Sequence, residues 1–116
     1  MSEYVFVYGT LKRGHGNSVL LNEAEFVQKA MTQPMYTMRN LGFFPGVQEG
    51  GETSIVGEVY KVSDAELERL DRLEGYPSFY NRIQIPLPSL EVTPWMYVLP
   101  VTGYEESAPI GSGIWE

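Results

Sequence analysis

The chain has no cysteine and a single histidine, His15. The first absence removes disulfides, a thiolate nucleophile and any Cys-ligated metal or cluster. The second removes a multi-histidine zinc or iron site built from one chain. A Ser-His-Asp triad would have to use His15, which lies in Gly14-His15-Gly16. A glycine-flanked stretch is a poor place to hold a precisely oriented base. An enzyme built from these residues would move protons with carboxylates or tyrosines. Basic residues are also scarce, 8 Lys and Arg against 15 Asp and Glu, for a net charge of −7. That balance disfavours nucleic acid as a partner, and no polybasic membrane anchor is present. The acidity otherwise reads as solubility. The longest apolar run near the start, Tyr4–Tyr8, is far too short for a signal segment or for a membrane span of about 20 residues. No Asn-x-Ser/Thr acceptor occurs. A cytoplasmic location is the expectation.

What is present suits one domain, residues 1–116, with 43% hydrophobic residues and no repeat or linker. Tyr4–Tyr8 (YVFVY), a continuous aromatic and β-branched run, predicts a strand buried on both faces. Gly9–Asn17 (GTLKRGHGN) holds three glycines in nine residues and predicts a loop. Asn17 or Ser18 would then cap a short helix through about Ala24. Phe26–Met38 is punctuated by Pro34 and reads as two short extended segments. Leu41–Val47 (LGFFPGV) reads as a loop carrying two aromatics, and Glu49–Glu52 as a turn. Ser54–Val62 reads as a strand in which Gly57 marks a bulge or a close backbone approach.

The clearest helix is Asp64–Glu74. Ser63 is its N-cap and Glu66 completes a capping box. Leu67, Leu70 and Leu73 form its apolar stripe, and Gly75 and Pro77 end it. Two strands follow, about Phe79–Leu87 and Thr93–Leu99, with Pro86 and Pro88 confining the end of the first to a sheet edge. The tail, Gly103–Glu116, is rich in turns, with Trp115 packed back on the body. The sum is a strand-dominated α+β domain with one well-marked helix.

Several of these segments resemble one family. Y-G-T-L-K-R-G (Tyr8–Gly14) directly after the first strand, with Asn17 behind it, is similar to the loop of γ-glutamyl cyclotransferases, including the γ-glutamylamine cyclotransferases. So are F-F-P-G (Phe43–Gly46), G-E-V-Y (Gly57–Tyr60) and L-D-R-L-E-G-Y (Leu70–Tyr76), followed by Tyr80 and Arg82. Gly111-x-Gly113-x-Trp115 is a weaker match. The resemblance implies a small mixed β-barrel with a few short helices. It also implies cyclisation of a small γ-glutamyl substrate to 5-oxoproline without metal or other cofactor. The Y-G-T-L loop would hold the substrate, and the Glu of the L-E-G segment, Glu74, would move the protons. Ser18 stands where amine-specific members often carry His, and the C-terminal region is short beside some members, so the leaving amine stays open.

The chemistry asks for a carboxyl whose pKa lies nearer neutrality than that of an ordinary Glu. Glu74 sits in the last helical turn, where the dipole is negative, with Asp71 three residues before it; both disfavour its anion, and apolar walls from Phe43, Phe44 or Tyr80 would raise its pKa further. Helix position alone reads first as a solvated carboxylate, and it is the family pattern that singles Glu74 out. Tyr8, Gly9, Thr10 and Leu11 suit an anion-binding turn for a carboxylate or an oxyanion, or else are an ordinary turn after a strand. Lys12 and Arg13 would steer an anion or are simply solvated. Tyr80 and Tyr97 are read as substrate contacts or core, and Phe43 and Phe44 as pocket wall. Glu58 is the rival carboxylate, sharing a strand face with Val56 and Tyr60. A binding module of the same fold that holds its ligand without turnover is the alternative function.

Overall fold

Seven strands and one helix follow one another in the computed structural model, which describes residues 2–12, 14, 16, 21 and 23–116. They are β1 (Ser2–Val7), β2 (Glu25–Met31), β3 (Tyr36–Asn40), β4 (Pro45–Glu49), β5 (Val56–Ser63), α1 (Asp64–Glu74), β6 (Asn81–Gln84) and β7 (Trp95–Val98). Five strands form a mixed sheet in the order β2-β5-β1-β7-β6, and β3 and β4 form a separate hairpin. β1 runs antiparallel to β5 and parallel to β7. The architecture is α+β.

The barrel expected above is not closed by backbone pairing among the described residues. β2 and β6 remain the two edges of an open sheet. β6 stops just before Pro86, which offers no ladder donor. The hairpin does not bridge the edges. It lies over one sheet face, where Met38 and Val47 join Phe6, Val59 and Met96 in one apolar cluster. The Leu99 amide donates to the Val47 carbonyl at 2.8 Å and anchors it. Likewise, α1 is the one α-helix among the described residues, against the few expected. The short helix placed from Asn17 or Ser18 to Ala24 falls mainly outside those residues, as do Arg13 and His15.

β1 shows why its sequence carries no polar alternation. Val5 and Val7 face the helix side with Tyr60, Leu67 and Leu70, while Phe6 and Tyr8 face the hairpin side. Both faces are buried, so both carry apolar residues. Gly57 on β5 is needed at this crossing: a Cβ there would lie 2.3 Å from the Val7 carbonyl oxygen. The close approach anticipated from sequence is real, while the irregular register of β5 with β2 lies elsewhere, opposite Phe26–Gln28.

The helix is set by local chemistry at both ends. The Ser63 hydroxyl accepts from the Glu66 amide at 3.1 Å, and the Glu66 carboxylate accepts from the Ser63 amide at 2.7 Å. Such caps contribute about 1 kcal/mol. At the other end Gly75 adopts φ 66°, the Gly75 amide donates to Arg72 O at 3.3 Å and the Tyr76 amide to Asp71 O at 2.9 Å. This is a Schellman turn. Leu67 and Leu70 enter the core, but Leu73, the third member of the predicted stripe, is 42% exposed. Two loop boundaries also differ from expectation. β4 begins at Pro45, inside the predicted aromatic loop, because Asn40 pairs with Pro45. The last two strands are shorter than predicted, four residues each. Among the described residues no helix is long and apolar enough to cross a membrane.

Candidate active site

A cavity of about 330 Å³ opens where β1 ends. Five pieces of chain meet there: the end of β1 with the Tyr8–Leu11 segment, the β3–β4 turn with Pro45, the last turn of α1, the segment after α1, and Tyr97 of β7. The Schellman turn directs the chain back on itself. The Phe79 amide donates to Gly75 O at 2.8 Å and the Tyr80 amide to Glu74 O at 3.3 Å. That return sets the Tyr80 ring beside the helix end. Glu74, Tyr8, Gly9, Thr10, Leu11, Tyr80 and Tyr97, all singled out from sequence, line this one cavity, with Phe43 and Phe44 in its wall.

Glu74 is the only charged residue among the described lining residues. No described side chain hydrogen-bonds its carboxyl. Burial raises its pKa from the ordinary 4.5 to about 7. The direction matches the expectation from sequence, and of the causes expected there it is burial that acts, not Asp71. Asp71 is not left facing Glu74 as a bare charge. Arg82 clasps it, with Nε at 2.9 Å from Oδ1 and Nη2 at 3.3 Å from Oδ2. The guanidinium is itself held between the Tyr76 and Trp95 rings, 4.6 and 4.3 Å from their centroids.

The three tyrosines are anchored by the protein. Tyr8 Oη donates to Tyr97 O at 2.8 Å, Tyr80 Oη to Pro45 O at 2.6 Å and Tyr97 Oη to Asp71 Oδ1 at 2.7 Å. Burial raises all three pKa values, and the nearby Glu74 carboxylate adds to the rise in each. They stay neutral phenols near pH 7. Each hydroxyl proton is committed to a protein acceptor, so toward a ligand these tyrosines offer ring faces and oxygen lone pairs.

The remaining candidates separate. Glu58 is buried and accepts from Tyr60 Oη at 3.0 Å, and it does not line the cavity. Lys12, expected in solvent, is buried and donates from Nζ to Trp115 O at 2.6 Å, which ties the Tyr8–Lys12 segment to the tail. Burial lowers its pKa, with Glu58 and Glu116 opposing. Trp115 itself is half-buried, and Val56 donates to Gly113 O at 2.9 Å, so the tail does pack back. Arg13, Asn17 and Ser18 lie outside the described residues. Sequence reasoning missed the Asp71–Arg82 pair, although both sit in the motif stretch with opposite charges. It also missed Leu73 and Phe79, which line the cavity.

The chain is similar to known proteins in sequence and in fold. Residues 5–116 match the family described as gamma-glutamyl cyclotransferase, AIG2-like. A Vibrio cholerae protein that carries the γ-glutamylcyclotransferase name provisionally is 39% identical over 115 residues, covering 99% of this chain and 96% of its own length. A Danio rerio γ-glutamylaminecyclotransferase C is 38% identical over 100 residues, covering 78% of this chain and 65% of its own. The crystal structure of an AIG2-like protein from Mus musculus superposes with a TM-score of 0.83 at 27% identity, over 96% of this chain and 87% of that one. The chain belongs to the γ-glutamyl cyclotransferase, AIG2-like family.

Proposed function

We propose that the protein is a γ-glutamyl cyclotransferase that converts a γ-glutamyl amide into 5-oxoproline and a free amine, with Glu74 as acid and base. The substrate's α-nitrogen attacks its own γ-carbonyl carbon and a C–N bond forms. The original amide C–N bond then breaks, and the amine leaves. Nucleophile and electrophile share one molecule, so the step is unimolecular from the start. The protein's task is to move two protons and stabilise one oxyanion. Glu74 takes a proton from the α-ammonium and gives it to the departing nitrogen; the second proton, lost from the attacking nitrogen as the lactam forms, passes through the same carboxyl to the freed amine, so the balance closes without a co-reactant or a metal. The backbone of Gly9–Leu11 is assigned to the α-carboxylate or the oxyanion. The rings of Tyr8, Tyr80 and Tyr97 pack around the glutamyl chain.

One observation carries this reading. A carboxyl with no hydrogen-bond partner among the described residues, raised to about 7, stands in an aromatic cavity beside the Tyr8–Leu11 turn. A carboxyl poised there both accepts and donates a proton near pH 7. The test is incubation of wild type and Glu74→Gln with γ-glutamyl amines, γ-glutamyl amino acids and glutathione, with 5-oxoproline followed by mass spectrometry. Product from the wild type alone, unchanged by a strong chelator, is the expected result. Activity retained in Glu74→Gln would mean that another group moves the protons. No product from any substrate would leave a binding module of the same fold.

A further inference from the structure

The cavity changes character from floor to mouth. Tyr8, Leu11, Tyr80 and Tyr97 are buried. Leu73, Phe44 and Phe79 lie at the edge, between 37% and 42% exposed, and Phe43 is 94% exposed. A wholly exposed phenylalanine at a cavity edge needs a reason, and the local backbone gives it a fixed place. It sits at the tip of the four-residue turn between β3 and β4. Leu41 N–H donates to Phe44 O at 3.0 Å, and Gly42, at φ 105°, donates to Asn40 Oδ1 at 2.8 Å. Phe44 and Phe79 meet edge to face at 6.1 Å, and Phe79 and Tyr80 at 4.8 Å, so an aromatic row runs from the floor outward.

This arrangement gives each half of a γ-glutamyl amide its own place. The polar glutamyl head needs the inner end, where Glu74 and the Gly9–Leu11 backbone are. The scissile bond then lies beside Glu74, and the leaving amine projects through the mouth. What meets it is Phe43, Phe44, Leu73 and Phe79, with no charged residue among the described lining residues except Glu74. We infer that the mouth formed by these four residues is a leaving-group subsite that selects γ-glutamyl amides of apolar, aryl-bearing primary amines over those of charged amino acids. The inference rests on the cyclotransferase reading above and adds the class of amine released. An apolar tail covers side chains that otherwise face water, whereas a zwitterionic lysine brings charges that this rim leaves unpaired. At about 330 Å³ the cavity is at the small end for ligand sites, which suits one ring and a short linker.

The full chain tests this with three substrates: γ-glutamyl-phenethylamide, γ-glutamyl-propylamide and γ-glutamyl-ε-lysine. All three release a primary alkylamine, so the bond broken is the same and the tail differs. We expect kcat/KM for 5-oxoproline release to be about 10-fold or more higher for the phenethylamide than for either of the others, the range a hydrophobic pocket gives for a few carbons. In Phe43→Ala the ratio of phenethylamide to propylamide should fall severalfold toward one. Phe43 is exposed, so this variant folds, and the ratio cancels any common loss. Equal rates on all three substrates, a preference for the lysine conjugate, or an unchanged ratio in Phe43→Ala would overturn the subsite while leaving the cyclotransferase standing. No 5-oxoproline from any of the three, or from the wider panel, would overturn both.

Discussion

Asp71 and Glu74 are one helical turn apart on α1, and their surroundings are opposite. Asp71 receives two hydrogen bonds from Arg82 and one from Tyr97, and the guanidinium is stacked between two rings. Glu74 receives none from the described residues and shares the cavity lining with Phe44, Leu73, Phe79 and Tyr80. Asp71, half-buried and hydrogen-bonded, holds Arg82 and the Tyr97 hydroxyl in place. Glu74, half-buried in the cavity with no hydrogen bond from a described side chain, is raised to about 7 by desolvation. Neighbours rather than residue type divide the two carboxyls into an anchor and, on the proposed reading, a proton carrier, and Tyr97 touches both worlds: it lines the cavity and its hydroxyl is held by Asp71.

The sharpest way to break this division is to remove the carrier. Glu74→Gln keeps size and polarity and deletes the proton. Positioned acid–base groups contribute about 10²- to 10⁴-fold, and turnover measured as 5-oxoproline release should fall by that order. In the wild type, kcat/KM should rise with pH through about 7, as Glu74 becomes the base. A profile flat between pH 5.5 and 8.5 would show that its ionisation does not govern the reaction.

Removing the anchor should cost stability more than chemistry. Asp71→Ala leaves Arg82 half-buried without its carboxylate and Tyr97 without its acceptor. The expected loss is about 3 kcal/mol, read as a lower urea midpoint at unchanged slope. Asp71→Asn keeps an acceptor for Tyr97 and should recover part of it. If Asp71→Asn instead matched Glu74→Gln in lost turnover while remaining stable, the anchor would be moving protons too.

What could be read in advance follows the range of the interactions. The limits of α1, Asp64–Glu74, follow from Ser63, Glu66 and Gly75, all within the helix or beside it, and its observed ends coincide with them. β1 is equally plain, because burial on both faces leaves an unbroken apolar run. The features not legible depend on distant partners. Pro45 becomes a strand residue only because Asn40 pairs with it, and its carbonyl is needed by Tyr80, 35 residues on. Leu73 has helical spacing for the core, yet it faces the cavity because the helix ends there. Lys12 looks solvated until Trp115 arrives 103 residues later. Barrel closure depends on where β6 stops and on what the hairpin covers. For the site, the family pattern supplied the residues, and the structure supplied the distinction between Asp71 and Glu74.

The smallest expected effect is also the most specific to that distinction. A carboxyl raised from 4.5 to about 7 binds more protons folded than unfolded between those values. Stability must therefore decline as pH rises from about 4.5 to 7, and above 7 the penalty is complete. Each tenfold difference in proton affinity between the folded and unfolded chain corresponds to about 1.4 kcal/mol, which caps the effect near 3, and partial water access brings it to about 2 kcal/mol. Glutamine carries no such penalty. Glu74→Gln should match the wild type in Tm near pH 4.5, gain on it through pH 6, and hold a constant lead of several degrees above about pH 7.5. Asp71→Asn at pH 8 should show no such lead, because it weakens the hydrogen bonds to Arg82. A Glu74→Gln variant no more stable than wild type at pH 8 would mean that the carboxyl meets water freely, and the contrast between the two acids would then rest on hydrogen bonding alone.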